Sequence, residues 1–436
     1  MSKNHKTPVK AKEQKEGLNA PTSPLEEDKT SLSSVVERST SSNSKTKQVD
    51  EAFQRYYPKK GGKRLLILFF ISYLALNNVF SSLRKVILPE SRLWYDTYPV
   101  LSTFEWMNAT AYEQASPTSG VMKTMIYPRP VRGKNQVLVR VVKAAGNPVD
   151  FKMRKNPFWP LKVLPAIPGY DFAGYVVSVD DDSVFKVGDR ILGMLPTVSG
   201  RWGTFAEYVV INEEFTAVIP EGISFTEAAA TPLAALTAIQ ALAALGPVTE
   251  NQTVLIHAGS GGVGSFLIQF AKKILKLQVH TTSTNMDLCK SLGADRVINY
   301  KQEDFAKYRY DFVIDLIGND YLFRGVPITK KHYVNILNNG WADYFGFDEM
   351  IPIGEGVTWT FLKLRYLLTF GMYPNYDLIL VKSDGAALRV IMKLIKEGTI
   401  KVLLDNEYVG LDEGARKCLD RIQSRRAKGK VTLSLE

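Results

Sequence analysis

The chain has 436 residues, 45% of them hydrophobic and 23% charged, with a net charge of +11, which is room for two or three domains of ordinary globular composition. The basicity is local: residues 1–64 hold 14 Lys/Arg against 8 Asp/Glu, leaving only +5 for the other 372. A nucleic-acid groove is excluded on that ground, and two cysteines, Cys289 and Cys418, exclude a disulfide framework.

Residues 1–64 read as a disordered, basic, Ser/Thr-rich tail. Its first 50 residues contain 14 Ser/Thr and no Phe, Tyr or Trp, too little apolar surface to offset the entropy of ordering. The acids Glu26, Glu27 and Asp28 make it unlike a transit peptide. Residues 65–83 follow, 19 residues without a charge and 14 of them apolar, against the ~20 that a spanning helix needs. Asn77, Asn78, Ser81 and Ser82 weaken the second half, so two membrane readings stay open: a single-pass helix, or one lying in the interface. Either makes membrane lipid a partner and a membrane the location. Arg55, Lys59, Lys60, Lys63 and Arg64 precede the run, and Arg84, Lys85 and Arg92 follow it. If the run crosses, that bias keeps the tail cytosolic. Residues 84–104 read as a linker.

From about Glu105 the pattern is globular. Short β-rich runs occur at 137–142, 172–179 and 204–211, punctuated by Gly and Pro. From Phe225 an Ala-rich stretch reads as helices broken near Pro232. A strand at 253–258, a glycine turn, an apolar helix at 265–275 and a strand at 278–283 make a right-handed βαβ unit. Further strands are expected at 296–300, 310–318 and 332–337. The apolar stretch 359–372 fits a pocket wall, a dimer surface or a membrane-facing patch, with core or pocket packing the default.

The turn reads Ala258-Gly-Ser-Gly-Gly-Val-Gly264. Glycines at 259, 261, 262 and 264 let the backbone bend sharply and approach a pyrophosphate, while the following helix offers free N–H groups and its positive dipole end. Any tight turn recruits glycine, so the strand–turn–helix–strand context carries the assignment to a dinucleotide. The second strand ends His280-Thr-Thr-Ser-Thr-Asn285, with no acid before Asp287. An acid there accepts from the ribose of NAD, and its absence admits the phosphate of NADPH, to which Ser283, Thr284 and Asn285 can donate.

These residues resemble the zinc-independent branch of the medium-chain dehydrogenase/reductases, the quinone and enone (alkenal) oxidoreductases. The matching segments are Asn147-Pro-Val-Asp-Phe-Lys152, Ile167-Pro-Gly-Tyr-Asp-Phe-Ala-Gly174, Phe185-Lys-Val-Gly-Asp-Arg190, Gly203-Thr-Phe-Ala-Glu-Tyr208, the glycine turn, Ser291-Leu-Gly-Ala-Asp295 and Arg426-Ala-Lys-Gly-Lys-Val431. The resemblance implies an α/β fold. A GroES-like β domain (105–232 and 382–436) would be interrupted by a doubly wound Rossmann domain (233–381). It also implies a homodimer.

Carried over residue by residue, the resemblance puts Asn147 and Lys152 at the nicotinamide and substrate end as catalytic candidates, with Thr237 near the nicotinamide. Gly259, Gly261, Gly262, Val263 and Gly264 become the pyrophosphate loop. Ser283, Thr284 and Tyr300 form the 2′-phosphate pocket, and Lys430 lies on the cofactor side. Each has a plainer reading. Asn147 and Asp150 fit a capped turn, Lys152 a solvated surface lysine and Tyr300 a half-buried strand tyrosine. Two departures stand out. Relatives often carry a lysine after the Ser-Thr pair, where this chain has Asn285 and Met286, and no tyrosine occurs around 156–159, where an enoyl-reductase tyrosine would fall.

No bound metal is expected. Catalytic zinc needs three protein ligands and a four-Cys structural site four thiolates, but the chain offers two cysteines and four histidines. The Gly-His-Glu of alcohol dehydrogenases reads Gly169-Tyr170-Asp171. Without a Lewis acid, alkoxide stabilisation is lost. A quinone or α,β-unsaturated carbonyl takes hydride directly and spreads the charge onto an oxygen held by donors. The expected function is therefore NADPH-dependent reduction of such an acceptor. The alternative is a non-catalytic membrane-associated scaffold or trafficking factor on the same fold, and the intact turn with Asn147 and Lys152 favours the enzyme.

Overall fold

The computed structural model describes residues 100–112, 122–155, 166–196, 202–318, 320–336, 364 and 373–436. The expected tail, the apolar run 65–83 and most of the linker lie outside the described residues. So do residues 156–159 and, apart from Leu364, the stretch 359–372. Among the described residues no helix is long and apolar enough to cross a membrane.

β1 (Val100–Tyr112) and β2 (Met122–Val131) form an antiparallel ribbon. β1 begins within the stretch expected to be linker, because Val100 finds a partner in Val131 and Leu101 in Pro130. β3 (Gln136–Gly146) leads into α1 (Pro148–Lys155), whose opening proline sits where a missing N–H costs no helical bond. β4 (Asp171–Ser178), β5 (Arg190–Met194), β6 (Tyr208–Asn212) and β7 (Thr216–Val218) extend the sheet. The run 204–211 was expected as one strand, yet it pairs with β3 only from Tyr208. Its first residues serve another partner: Phe205 O accepts from Thr110 N at 2.9 Å and Ala206 bridges Ala109.

Two helices break at Pro232 as the sequence predicts. α2 (Phe225–Ala229) starts on a capping box between Ser224 and Glu227, which satisfies two otherwise orphaned amides. α3 (Pro232–Ala244) is buried on nearly every side, consistent with its Ala/Leu composition.

Next come β8 (Thr253–Ile256), α4 (Gly262–Gln269, prolonged by a π-helical turn over Phe270–Ile274), β9 (Gln278–Thr282) and α5 (Met286–Leu292). β10 (Arg296–Ile298), β11 (Tyr310–Asp315), α6 (Asp320–Gly325), β12 (Thr329–Asn335) and β13 (Asn375–Leu378) complete this unit. The order is β10-β9-β8-β11-β12-β13, and every pairing is parallel. That is the 3-2-1-4-5-6 order of a doubly wound dinucleotide sheet, whose ligand crevice opens where the order reverses, between β8 and β11. Val254, Leu255 and Ile256 are all buried, as a strand covered on both faces requires.

The chain then returns to the first sheet. α7 (Gly385–Lys396) packs on β7 so closely that a Cβ on Gly385 would lie 2.3 Å from Thr216 O. β14 (Leu404–Val409) and α8 (Ala415–Gln423) precede β15 (Lys430–Ser434). β15 pairs with β3 from Val431↔Gly146 to Ser434↔Lys143, giving the order β14-β15-β3-β4-β5-β7 with β6 also on β3. Two glutamines hold the returning chain by its backbone. Gln240 exchanges two hydrogen bonds with Lys382 (2.7 and 2.9 Å), and Gln269 two with Lys401 (2.9 and 2.8 Å). The fold is thus α/β, a largely antiparallel β domain, in which only β14 and β15 run parallel, built from both ends of the described chain around a doubly wound parallel domain.

Candidate active site

The glycine turn sits at the end of β8, at the topological switch point. Its glycines have different reasons to be there. A Cβ on Gly259 would lie 2.1 Å from Thr281 Oγ1, and one on Gly264 2.3 Å from Ala258 O. Those two are demanded by the packing of helix on strand. At Gly261 the nearest contact would be Ala258 O at 3.3 Å, and its φ is −81°. A Cβ there would be tight against Ala258 O but relievable by a few tenths of an ångström, so internal packing asks less for glycine here than at the other two, and the absent side chain leaves room for something from outside. Gly261 is also the residue just before α4, without a capping side chain, and the first N–H groups of that helix have no partner within it. Val263 is half-buried in the same first turn. This is a cradle suited to a pyrophosphate.

On the β9 side, Ser283 is buried and its hydroxyl donates to Ser260 Oγ at 3.0 Å. Asn285 donates its backbone amide to Ser283 Oγ at 2.9 Å and its side-chain amide to Ser260 Oγ at 3.4 Å. The turn and the strand end are therefore joined by a hydroxyl cluster. Thr284 is exposed and Tyr300 is 49% exposed, so both lie open to solvent after β9 and β10.

The other candidates gather around a buried polar knot. Asn147, Asp150, Asp171 and Lys430 are each at most 4% exposed. Lys430 Nζ donates to Asp171 Oδ2 at 3.0 Å, to Gly146 O at 3.2 Å and to Asn147 Oδ1. All three ammonium protons are taken up inside the protein. Asn147 Nδ2 donates to the same Asp171 oxygen at 2.9 Å, and Asp171 Oδ1 accepts from Leu233 N at 2.8 Å, at the start of α3. Lys430 also borders the nucleotide turn: its Cδ would be 2.9 Å from a Cβ on Gly262.

Asp150 accepts from Asn147 N (2.6 Å) and Gly169 N (3.0 Å). Burial pushes its carboxyl up to about 7; the Asn147 amide opposes this most, the Asp171 charge adds to it, and Lys430 opposes it further. Thr237 is buried on α3, one turn past Leu233, with its hydroxyl donating to Leu233 O at 2.7 Å. Lys152 is half-buried on α1. The structure thus brings Asn147, Lys430 and the glycine turn together, with Thr237 linked through α3. Ser283 joins the turn from the far side.

Sequence reasoning missed Asp171 and Asp150 as site residues. Their motif positions were visible, Asp150 three residues after Asn147 and Asp171 two after Gly169, but their burial was not. The histidines and cysteines are dispersed. Burial pushes the His257 imidazole down to about 4; it packs edge-on against Phe305 and Tyr321 and meets Thr282 Oγ1 at 3.1 Å. Cys289 and Cys418 are both buried, one on α5 and one on α8. Among the described residues no three His, Cys, Asp or Glu side chains stand together as metal ligands.

Comparison with known proteins agrees with this architecture. The family model for the alcohol dehydrogenase GroES-like domain matches residues 133–221, and that for the zinc-binding dehydrogenase matches residues 292–433. The chain is 37% identical to the NADPH-dependent alkenal/one oxidoreductase of Arabidopsis thaliana chloroplasts, covering 69% of this chain and 72% of the relative. It is 31% identical to the chloroplast envelope quinone oxidoreductase homolog of the same plant, over 69% of this chain and 91% of the relative. Among solved structures, the quinone oxidoreductase of Coxiella burnetii superposes with a TM-score of 0.65 at 28% identity, over 76% of this chain and all of that one. The chain belongs to the medium-chain dehydrogenase/reductase family, in its quinone and enone oxidoreductase branch.

Proposed function

We propose that this protein is a membrane-tethered, zinc-independent reductase that uses NADPH to reduce a quinone or an α,β-unsaturated carbonyl. The observation that carries the cofactor reading is Gly261, where internal packing presses on a Cβ far less than at Gly259 or Gly264, at the switch point of a doubly wound sheet. The end of β9 supports the phosphorylated cofactor. It presents Ser283, Thr284 and Asn285 and no carboxylate before Asp287, and an acid there would repel a 2′-phosphate. The related alkenal/one oxidoreductase is itself described as NADPH-dependent.

The residues present fit the group. The turn from Gly259 to Gly264 and the start of α4 would hold its pyrophosphate, and Ser283, Thr284 and Tyr300 its adenosine phosphate. Asn147, Lys152 and Thr237 would face its nicotinamide end. Bound there, the cofactor supplies a hydride. The protein's part is to hold the acceptor carbonyl against donors as negative charge gathers on its oxygen, with Lys152 the donor candidate.

The tether is residues 65–83, an uncharged run of membrane-spanning length between basic flanks. The oxidoreductase reading is tested by NADPH consumption by the full chain with a panel of quinones and enones, beside calorimetric titration with NADPH and NADH. Turnover with a conjugated acceptor and tighter NADPH binding are expected. Binding without turnover on any acceptor overturns the enzymatic reading, and equal or tighter NADH binding overturns the cofactor choice.

A further inference from the structure

Asp171 stands where three separate pieces of the site meet. Its Oδ2 accepts from Asn147 Nδ2 at the end of β3 and from Lys430 Nζ at the start of β15, while its Oδ1 accepts from Leu233 N in the first turn of α3. α3 would ordinarily be capped by its own N-cap residue, Thr231, but Thr231 makes no side-chain cap bond and donates its hydroxyl to Glu227 O instead. Asp171 accepts in its place from across the fold. A carboxylate at a helix N-terminus is favoured by the positive end of the dipole, so the bond orients the helix as well as satisfying it.

We propose that Asp171 is the positioning residue for the nicotinamide end of the site, acting through Asn147, Lys430 and α3; this rests on the cofactor reading above. The Asn147 amide is locked in one orientation. Flipping it would set its carbonyl oxygen against the Asp171 carboxylate and its NH2 against the Lys430 ammonium. Lys430 spends its three protons on Gly146 O, Asn147 Oδ1 and Asp171 Oδ2 and lays its stem beside Gly262. It therefore registers the glycine turn against the Asn147 strand rather than serving as a free arm. Thr237, one helical turn beyond Leu233, takes its place from the same anchor. A fault at Asp171 would loosen Asn147, the Lys430 side of the turn and α3 together. Among the described residues no hydrogen bond or ion pair joins Asp171 to the adenosine pocket of Ser283, Thr284 and Tyr300, on the far side of the turn.

A buried ion pair is often plain structural glue, and the two roles separate by which half of the dinucleotide is affected. Removing one partner alone leaves an unpaired buried charge and threatens folding. The informative form is therefore the full chain carrying Asp171→Asn together with Lys430→Met, which removes both charges at similar volume. Calorimetry with 2′,5′-ADP, the adenosine half alone, and with NADPH reads the split, after circular dichroism shows that the variant is folded. The expected result is an NADPH affinity weakened about tenfold or more beyond any weakening of 2′,5′-ADP, whose 5′-phosphate still touches the turn, so that the gain from the nicotinamide half is lost. Single Asp171→Asn, if folded, should show the same split. An unchanged NADPH to 2′,5′-ADP affinity ratio in a folded variant overturns the proposal, whether both affinities stay or both fall together. An unaltered chain that binds neither ligand overturns the cofactor reading itself, an outcome recognisable before any variant is made.

Discussion

The backbone amide of Gly429 donates to the carbonyl of Ser260 at 2.9 Å, tying the entry to β15 in one domain to the nucleotide turn in the other. Gly429 can do so because it is glycine: its φ is +102°, and a Cβ would lie 2.3 Å from Leu403 O. The next residue is Lys430. Backbone bond and buried ion pair thus act side by side, and the turn is held from the β domain as much as from its own sheet.

The glycines of that turn should separate by substitution. Gly264→Ala forces a Cβ to within 2.3 Å of Ala258 O and should destabilise the fold by about 1–3 kcal/mol, the usual cost of overpacking. Gly261→Asp brings its Cβ to 3.3 Å from Ala258 O, an approach that a small shift relieves, and should leave the protein folded. It puts a carboxylate where the pyrophosphate belongs and should abolish NADPH binding. Thermal melts followed by circular dichroism, with calorimetric titration, check both. A folded Gly261→Asp protein that binds NADPH normally would remove the turn from the site.

Two buried groups should leave opposite marks on stability against pH. Burial raises the Asp150 carboxyl from 3.8 to about 7, so the folded state holds that proton more tightly than the unfolded chain. Its contribution is full below about 3.8 and is lost as pH rises through about 7. Burial lowers the His257 imidazole from 6.5 to about 4. Its contribution is present above about 6.5 and is lost as pH falls toward about 4. Between these limits the two slopes oppose each other. Replacing His257 by Gln should therefore unmask a fall in melting temperature from pH 4.5 to pH 7. A flat profile in that variant would mean that Asp150 is ionised throughout.

Purified protein should carry zinc well below one equivalent by elemental analysis, and a chelator should leave reductase activity unaltered. With two cysteines and four histidines in the sequence, neither a four-Cys site nor the usual three-ligand catalytic site has its donors. Stoichiometric, tightly held zinc would overturn the zinc-independent reading.

The tether makes its own prediction. Cells expressing the full chain, or a chain lacking residues 1–84, are fractionated and washed with alkaline carbonate. The full chain should stay with the membrane if residues 65–83 span it, and the shortened chain should be soluble. A full chain found soluble before any wash contradicts membrane association altogether. Release only on washing favours a helix lying in the interface.

Much of the parallel domain was legible in the sequence because its strands are short runs rich in β-branched and aromatic residues, bounded by Gly or by polar turns, with the glycine turn to fix their direction. β8, β9 and β11 fall where their composition puts them. β14 was not legible, since its residues are largely exposed. β15, Lys430–Ser434, is buried along its whole length, but five residues of mixed polarity carry no period. β1 was half hidden in the expected linker, because its early residues Thr103 to Trp106 are exposed and rest on their ribbon partner, while Met107, Ala109 and Ala111 further along reach the core. The knot at Asp171 was beyond reach for another reason. Asn147 and Lys430 lie 24 residues before it and 259 after it in the chain, and nothing local records that the three side chains share one buried space. Asn147 and Lys430 entered the site through family resemblance, whereas Asp171 needed coordinates.

That β15 pairs with β3 also sets an order of events in time. A ribosome making this chain finishes the strands of the parallel domain at Leu378, when β3 has long been waiting with one edge covered only over Gln136–Arg140, by β6. The partner for Gly146 is Val431, so the rest of that edge stays open until the 285 residues from 147 to 431 have been made. Exposed strand edges invite pairing with other chains, and contacts so distant in sequence form slowly. The newborn protein passes through an interval in which its nucleotide domain can be complete while its other sheet has an open seam, and in that interval it most needs protection from its neighbours.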